Sequence, residues 1–213
     1  MQKLEGVFFL SAFQFVRVIH LLIASGNRHK VREFARLLGS DFQVSDLSTM
    51  RDIPEIREDG STFEENARIK AVAISHRCAG LVLADDSGIE VESLGGQPGI
   101  YSARYAGEHA TDAANRQKLL SALAQLAPGA SRKARFCCVL VLAQAGEVIG
   151  TFEGTVEGEI VHEERGCGGF GYDPIFRPND SAKTFAEMSA AEKDSISHRG
   201  QAVARLREFF RAA

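Results

Sequence analysis

The sequence has no excess of positive charge. Its 213 residues include 25 Lys and Arg against 28 Asp and Glu, which gives a net charge of −3. Proteins that bind duplex nucleic acid usually carry a strong basic excess, because the phosphate backbone supplies much of their binding energy. The charge balance therefore argues against a nucleic-acid partner, whereas a small phosphate ligand needs only a few nearby cations.

Cysteine is scarce, and the cysteines present do not follow a metal-binding pattern. The four residues, Cys78, Cys137, Cys138 and Cys167, include no Cys-x-x-Cys pair, and no cluster of histidines accompanies them. Structural zinc sites need such groupings, so the sequence disfavours zinc. We interpret these cysteines as small core residues of a protein in a reducing compartment, and we expect a cytoplasmic location.

Uninterrupted apolar runs of membrane-spanning length are also missing. The N-terminal stretch is rich in phenylalanine and superficially resembles a signal peptide, but Gln14, Arg17 and His20 interrupt it. We therefore predict no membrane partner. Residues 1–15 are predicted to be an extension ahead of the fold, either a poorly ordered tail or an upstream start. Residues 16–213 are predicted to form a single domain with a substantial core.

The order of the apolar runs predicts an α/β fold with a mixed sheet. A β-branched run over 16–24 predicts the first strand, and the run 81–84 predicts a buried one. Three residues separate the runs 133–143 and 147–156, and this spacing predicts an antiparallel hairpin. Capping residues and helical spacing predict helices over 31–38, 62–79, 111–126 and a C-terminal segment. We therefore expect a mixed central sheet flanked by helices.

Two adjacent carboxylates follow the buried strand predicted over 81–84. Asp85 and Asp86 precede Ser87 and Gly88. In a dry, empty site the two carboxylates would repel each other, and a bound Mg²⁺ would relieve this repulsion because it prefers hard oxygen ligands. Successive strand residues face opposite ways, so we expect one of the pair to point into the site. The same residues also fit a solvated turn, and the segment alone leaves both interpretations open.

The helix predicted over 62–79 begins with the sequence of a capping box, Ser61-Thr62-Phe63-Glu64. Glu58 and Glu65 lie within about one turn of this start, and either could meet the carboxylates that follow the next strand. We interpret Lys70, further along the same helix, as compatible with solvated surface.

A short polar loop follows the first predicted strand. It consists of Ser25, Gly26, Asn27, Arg28, His29 and Lys30. Loop N–H groups at a helix N-terminus favour an anion and a lysine adds positive charge, so the loop suits a phosphate group. Its single glycine does not match the Walker pattern. The alternative is a plain strand-to-helix turn capped by Ser25 or Asn27.

A glycine-rich loop ends in Phe170, Gly171, Tyr172 and Asp173. Glycines beside aromatic residues let a flat ring stack closely, and an aspartate can accept N–H bonds from the edge of a base. The alternative is an aromatic plug of the core with turn glycines around it.

Three basic residues lie near the predicted C-terminal helix. Lys193, His198 and Arg199 are close enough in sequence to reach a phosphate and a base carbonyl together. They could equally mark a helix boundary.

Six collinear segments resemble the Ham1/RdgB-type inosine triphosphate pyrophosphatases, over about residues 19–209. The segments are Ser25-Gly26-Asn27-x-x-Lys30, Glu58-Asp59-Gly60-x-Thr62-Phe63-x-Glu65-Asn66-Ala67, Ala84-Asp85-Asp86-Ser87-Gly88, Gly99-Ile100-Tyr101-Ser102-Ala103-Arg104-Tyr105, Phe170-Gly171-Tyr172-Asp173-Pro174 and Ser197-His198-Arg199. Each segment is weak alone, but their shared order makes the signal specific.

This resemblance implies an activity. It is the Mg²⁺-dependent hydrolysis of non-standard purine nucleoside triphosphates (ITP, dITP and XTP) to the monophosphate and pyrophosphate, which cleanses the nucleotide pool. The resemblance also implies a two-lobed fold with the active site in the cleft, and a homodimer. Asp86 matches the catalytic carboxylate, which acts at the metal and as a base toward water. Glu58 matches a second acidic metal position and Ser87 a substrate contact.

The remaining site residues are matched in the same way. The segment from Ser25 to Lys30 matches the triphosphate-binding loop, and the segment from Phe170 to Asp173 matches the base pocket. Lys193, His198 and Arg199 complete substrate binding, and Lys30 and Lys193 are expected to hold the leaving pyrophosphate. Two alternatives are a phosphohydrolase of modified pyrimidine triphosphates and a sensor that binds nucleotide without turnover.

Overall fold

A computed structural model describes residues 18–50, 53 and 56–212 of the chain. The predicted extension over 1–15 lies outside these described residues, as do the first residues of the predicted first strand. Within the described part of the chain, no helix has the length and apolar character needed to cross a membrane.

A mixed six-stranded sheet forms the centre of the fold. Its strands are β1 (Ile19–Ile23), β2 (Phe42–Asp46), β3 (Leu81–Val91), β4 (Lys133–Gln144), β5 (Glu147–Ile160) and β6 (Phe176–Pro178). They are arranged in the order β2-β1-β3-β4-β5-β6. β1 pairs in parallel with β2 and β3, and the pairs from β3 to β6 are antiparallel. The predicted mixed sheet and the predicted hairpin are both confirmed.

Helices cover both faces of this sheet. They are α1 (Arg28–Leu38), α2 (Phe63–Ser75), α3 (Asp112–Ala124), α4 (Ala190–Ile196) and α5 (His198–Ala212). α1 and α5 share one apolar cluster with Leu83 of β3, and α2 shares another with Ala84. These adjacent strand residues join different clusters because side chains alternate across a strand. The predicted α/β architecture, a sheet flanked by helices, is therefore confirmed.

A further apolar cluster surrounds the other end of the long strands. Ile89 and Val91 of β3, Phe136 of β4 and Leu119 of α3 meet there. The core is thus built at two ends of one sheet, and the chain between these ends is free to carry polar groups. The division of the domain into two lobes stays a prediction.

β3 continues through the two carboxylates, so the solvated-turn interpretation of this segment is wrong. Asp85 is opposite Leu140 of β4, and Asp86 is opposite Val139. The strand continues because antiparallel pairing with the longer β4 satisfies its backbone. A Cβ atom at Gly88 would collide with the Gly99 carbonyl and the Ser102 hydroxyl. Glycine therefore allows the segment after β3 to pack directly against the strand.

The start and end of α2 differ from the prediction. Thr62 caps the helix by accepting the Glu65 N–H, one residue later than the box predicted from Ser61 to Glu64. The Glu65 carboxylate turns back and accepts the Ser61 N–H at 2.6 Å, so this exposed residue does not meet the β3 carboxylates. The helix ends at Ser75 rather than at residue 79. A tighter bond from the Arg77 N–H to the Ile74 carbonyl, at 2.9 Å, follows its last turn.

Candidate active site

Two adjoining cavities border β3. The first, of about 610 Å³, includes Phe170, Asp173, His198 and Arg199 in its lining. The second, of about 1020 Å³, is lined by residues that include Glu58, Asp85 and Asp86. Asn27, Lys30 and Ser87 belong to both linings. We call the first the base cavity and the second the acidic cavity.

Most residues predicted for the site line one of these cavities. Ser25 and Gly26 line the acidic cavity, and Gly171, Tyr172 and Lys193 line the base cavity. Two residues of the predicted phosphate loop do not: Arg28 lines neither cavity, and His29 borders a neighbouring cavity of about 750 Å³ behind Phe170. The reason is helical geometry. α1 begins at Arg28, so successive side chains leave the helix in different directions.

Asp86 faces α2 and is held by polar residues of that helix. Asn66 Nδ2 donates to Asp86 Oδ2 at 3.2 Å, and Lys70 Nζ lies 3.9 Å from Asp86 Oδ1. The same Lys70 Nζ lies 2.8 Å from Glu58 Oε2. Burial raises the pKa of Asp86 to about 6, although Lys70 and Lys30 act in the opposite direction. Asp86 is therefore a carboxylate able to exchange a proton near neutral pH.

Asp85 faces the opposite side of the sheet from Asp86, as alternation along the strand predicts, yet both carboxylates line the acidic cavity. The expectation that only one of them points into the site is therefore wrong. Lys30 Nζ lies 2.9 Å from Asp85 Oδ1, and Arg199 Nη2 lies 3.4 Å from Asp85 Oδ2. Burial alone would raise the pKa of Asp85, but these two cations hold it well below its usual range. Amino and guanidinium groups of the chain thus compensate the adjacent carboxylates. The bound Mg²⁺ expected beside these carboxylates stays a prediction.

A buried ionic cluster joins α1 to the base cavity. Glu33 of α1 accepts from Lys193 Nζ at 2.7 Å and from Arg199 Nη1 at 2.6 Å. Lys193 Nζ also lies 2.7 Å from Asp173 Oδ2. Burial would raise the pKa of Glu33, but Arg199 and Lys193 outweigh it and lower the value. Lys193 and Lys30 both line the base cavity, and the role of Lys193 at the leaving pyrophosphate stays a prediction.

The aromatic residues of the base cavity have different positions. Phe170 is half-buried, stacks on His29 with ring centroids 5.4 Å apart, and has Lys193 Nζ 5.1 Å from its ring centroid. Tyr172 is buried in the apolar cluster around Phe136, and its hydroxyl donates to the Ser102 carbonyl at 2.8 Å. Phe170 is thus the ring more accessible for stacking, while Tyr172 forms a wall of the cavity.

The predicted phosphate loop is capped by its own residues. Asn27 Oδ1 accepts the N–H groups of His29 and Lys30 at 2.9 and 3.2 Å. Ser25 Oγ accepts the Asn27 N–H at 3.1 Å. This capping matches the turn interpretation, and it also fixes the helix from which Lys30 reaches into the cleft.

Three polar residues of the site were not singled out from the sequence. Glu33 follows Lys30 by one turn of α1, and Asn66 and Lys70 lie one turn apart on α2. Their position on the helix was the sequence feature that could have identified them. Each lies next to the apolar stripe of its helix, where a charged or amide side chain needs a partner.

His198 and Arg199, which line the base cavity, each keep one buried hydrogen-bonding atom unused. Within the described residues, His198 Nδ1 and Arg199 Nε have no hydrogen-bond partner although both are buried. The His198 ring lies parallel to Phe136 with centroids 4.6 Å apart. Burial, aided by the positive charge of Arg199, lowers the pKa of His198 well below its usual value. The imidazole is therefore neutral at physiological pH.

The buried His198 predicts a pH-dependent stability. The unfolded chain binds a proton on this residue near pH 6.5, whereas the folded chain binds it only at lower pH, so acid favours unfolding. Between pH 7.5 and pH 5.5, the wild type should lose about 1.4 kcal/mol more unfolding free energy than His198→Gln. Urea titrations at both pH values measure it. A difference that does not change with pH would contradict the neutral imidazole.

Curated proteins with similar sequences are pyrophosphatases. The dITP/XTP pyrophosphatase of Bacillus licheniformis is 49% identical over 187 residues, which cover 87% of this chain and 95% of that protein. The dITP/XTP pyrophosphatase of Syntrophobacter fumaroxidans is 51% identical over 192 residues, which cover 89% of this chain and 81% of that protein.

Solved structures agree with these sequence relatives. The Ham1 protein of Staphylococcus aureus superposes with a TM-score of 0.80 at 42% identity, over 91% of this chain and 98% of that one. A HAM1 protein from Coxiella burnetii gives a TM-score of 0.82 at 40% identity, over 92% of this chain and 100% of that one. The sequence profile of the Ham1 family matches residues 21–209. The chain therefore belongs to the Ham1 family.

Proposed function

We propose that this chain hydrolyses the non-standard purine nucleoside triphosphates ITP, dITP and XTP between the α and β phosphates, releasing pyrophosphate. The observation that carries the proposal is the pair of adjoining cavities, one acidic and one suited to a base, which share Lys30 and Ser87. The dITP/XTP pyrophosphatases among its relatives support the same activity. A triphosphate in the acidic cavity would place its base beside Phe170 and Arg199.

The donor set of the acidic cavity fits Mg²⁺. This ion commonly takes one or two protein carboxylates and completes its shell with substrate phosphates and water. Asp86 and Glu58 offer two carboxylates that both approach Lys70. Within the described residues, no three acidic, histidine or cysteine side chains are placed to hold a metal ion together. Substrate oxygens would share the coordination, and the bound ion would neutralise charge on the phosphates.

The chain's own residues provide the rest of the chemistry. Lys70 and Lys30 present positive charge to a triphosphate from two different helices. Asp86, with its pKa raised to about 6 by burial, accepts a proton from the attacking water, and Asn66 fixes the orientation of its carboxylate. Hydrolysis of a phosphoanhydride depends mainly on such positioning and charge stabilisation.

Selection of the base rests on donors in the base cavity. A 6-oxo purine offers an acceptor where adenine offers an amino donor. Arg199 lines the base cavity, and its guanidinium group offers N–H donors to that oxygen. With ATP such a donor would stay unpaired, at a cost of about 1–3 kcal/mol. We therefore expect discrimination against ATP.

A substrate panel tests this proposal. Purified protein with Mg²⁺ should release pyrophosphate from ITP, dITP and XTP and much less from ATP and GTP, measured as kcat/KM for each nucleotide. Faster turnover of a modified pyrimidine triphosphate would favour the alternative phosphohydrolase. Tight binding of ITP without any product would favour the nucleotide sensor.

The proposal also includes a homodimer in the cytoplasm. The family resemblance supports the dimer, and sedimentation equilibrium of the purified chain would measure it. Cys78, Cys137, Cys138 and Cys167 are all unpaired thiols, which suits a reducing compartment.

A further inference from the structure

Helix α3 holds the loop that carries Phe170 through hydrogen bonds to the N–H and the carbonyl of Gly171. Asp112 Oδ2 accepts the Gly171 N–H at 2.7 Å. Arg116 Nη1 donates to the Gly171 carbonyl at 2.8 Å. Asp112 and Arg116 are one helical turn apart, so their side chains project from the same face of α3. Asp112 holds the peptide group before Gly171, and Arg116 holds the peptide group after it.

These two contacts are needed because Gly171 belongs to no strand or helix. Its φ of +60° lies in the left-handed region, which is open to glycine at little cost. The residue lies between Phe170 and Tyr172, so rotation of its peptide groups would move the Phe170 ring. Phe170 itself is tied within the loop, because its N–H donates to Asp173 Oδ2 at 2.9 Å.

The orientation of Arg116 is fixed from its other side. Arg116 Nε and Nη2 donate to the two carboxylate oxygens of Glu164 at 2.9 and 3.0 Å. Such a bidentate pair fixes the plane of the guanidinium group. The remaining nitrogen, Nη1, is thereby aimed at the Gly171 carbonyl.

The same helix also holds a second wall of the base cavity. Asn115, which is buried, accepts the Ala106 N–H at 2.7 Å and donates to the Ala103 carbonyl at 3.1 Å. Ala103 lines the base cavity. The Tyr172 hydroxyl then joins the two walls through the Ser102 carbonyl. Helix α3 therefore fixes the positions of both walls.

We propose that Asp112 and Arg116 are positioning residues that set the width of the base cavity and thereby its discrimination between nucleobases. The inference rests on the proposed function. Arg116 acts through Gly171, and Asp112 holds the same residue while also lining the base cavity itself. Gly171 places the Phe170 ring relative to Lys193 and Arg199, 5.1 and 5.7 Å from the ring centroid. The phosphate chemistry at Asp86 depends instead on α1, α2 and β3.

The test compares Asp112→Ala and Arg116→Ala with two further variants. Asp112→Asn keeps an oxygen that can accept the Gly171 N–H, and Gln117→Ala changes an exposed residue of the same helix. For each, kcat and KM are measured with ITP and ATP, together with the free energy of unfolding. A lost hydrogen bond to a charged group corresponds to about a tenfold effect on binding.

We expect the two alanine variants to raise KM for ITP about tenfold and to narrow the ratio of kcat/KM between ITP and ATP, with kcat changed less than about threefold. Asp112→Asn should keep most of the wild-type preference for ITP over ATP in kcat/KM. Gln117→Ala should match the wild type in kcat, KM and this preference. An unchanged ratio in both alanine variants would overturn the proposal, whatever their stability. So would equal losses in Asp112→Asn and Asp112→Ala.

Failure of the proposed function has a different signature. If the wild type itself releases no pyrophosphate, the same variants are compared by the dissociation constants of ITP and ATP in Mg²⁺. A wild-type preference for ITP that narrows in the alanine variants supports the positioning role without catalysis. No preference in the wild type, or one unchanged in these variants, overturns it.

Discussion

Asp86→Asn should lose nearly all turnover while keeping the fold. The amide has the size of the carboxylate, but it cannot accept a proton at neutral pH and carries no negative charge for a metal ion. We expect kcat for ITP to fall by about 10³-fold or more. Steady-state release of pyrophosphate with Mg²⁺ measures the loss, and turnover near the wild-type level would contradict the assignment of Asp86.

The stability of the same variant separates a functional role from a structural one. Burial raises the folded-state pKa of Asp86 to about 6, above its unfolded value. The stability associated with this shift is present at low pH and is lost as the pH rises through about 6. At neutral pH the charge therefore weakens the fold. Asp86→Asn should be at least as stable as the wild type in a urea titration.

Asp85→Asn is the matched control, since it changes the adjacent carboxylate. The folded-state pKa of Asp85 is held below its usual range by Lys30 and Arg199, despite burial. Its charge thus stabilises the fold above the unfolded-state pKa, and this contribution is lost as the pH falls. We expect Asp85→Asn to lower the unfolding free energy at neutral pH, opposite to Asp86→Asn. If Asp85→Asn and Asp86→Asn changed the unfolding free energy equally, the different roles assigned to the two carboxylates would be contradicted.

Glu33→Gln should produce the largest loss of stability. Lys30, Lys193 and Arg199 are balanced by three carboxylates, those of Glu33, Asp85 and Asp173. Removing the Glu33 charge leaves one buried cation uncompensated, which typically costs about 3–5 kcal/mol. Equilibrium unfolding in urea at neutral pH measures this change directly.

Arg36→Gln provides the comparison on the same helix. Arg36 pairs with Asp194 at 2.5 Å, but its side chain is 42% exposed. Exposed pairs contribute about 0–1 kcal/mol, because water screens the charges. A loss for Glu33→Gln no larger than for Arg36→Gln would show that the buried cluster does not stabilise the fold.

Much of the fold could be predicted because local chemistry decided it. Alternation and short spacing predicted the β4–β5 hairpin, and Thr111 caps α3 as expected from its side-chain oxygen. The extent of β3 could not be read in this way. Asp85-Asp86-Ser87-Gly88 has the composition of a turn, and only pairing with β4, far along the chain, keeps it extended.

The site was predicted where residues adjoin in sequence and missed where helices supply single side chains. Glu33 and Arg199 are hydrogen-bonded although they are 166 positions apart in the sequence, and no local sequence pattern predicts such a contact. Lys70 was interpreted as surface although it contacts Glu58 and Asp86. The contacts of Lys193 with Glu33 and Asp173 likewise join residues that are far apart in the chain or lie on different elements.

The position of the cleaved bond identifies the reaction at Asp86. To measure it, the purified chain is incubated with ITP and Mg²⁺, and the products are resolved by ³¹P NMR. We predict inosine monophosphate and pyrophosphate in equal amounts, with no orthophosphate. Release of orthophosphate and inosine diphosphate would place cleavage at the terminal phosphate and contradict the account.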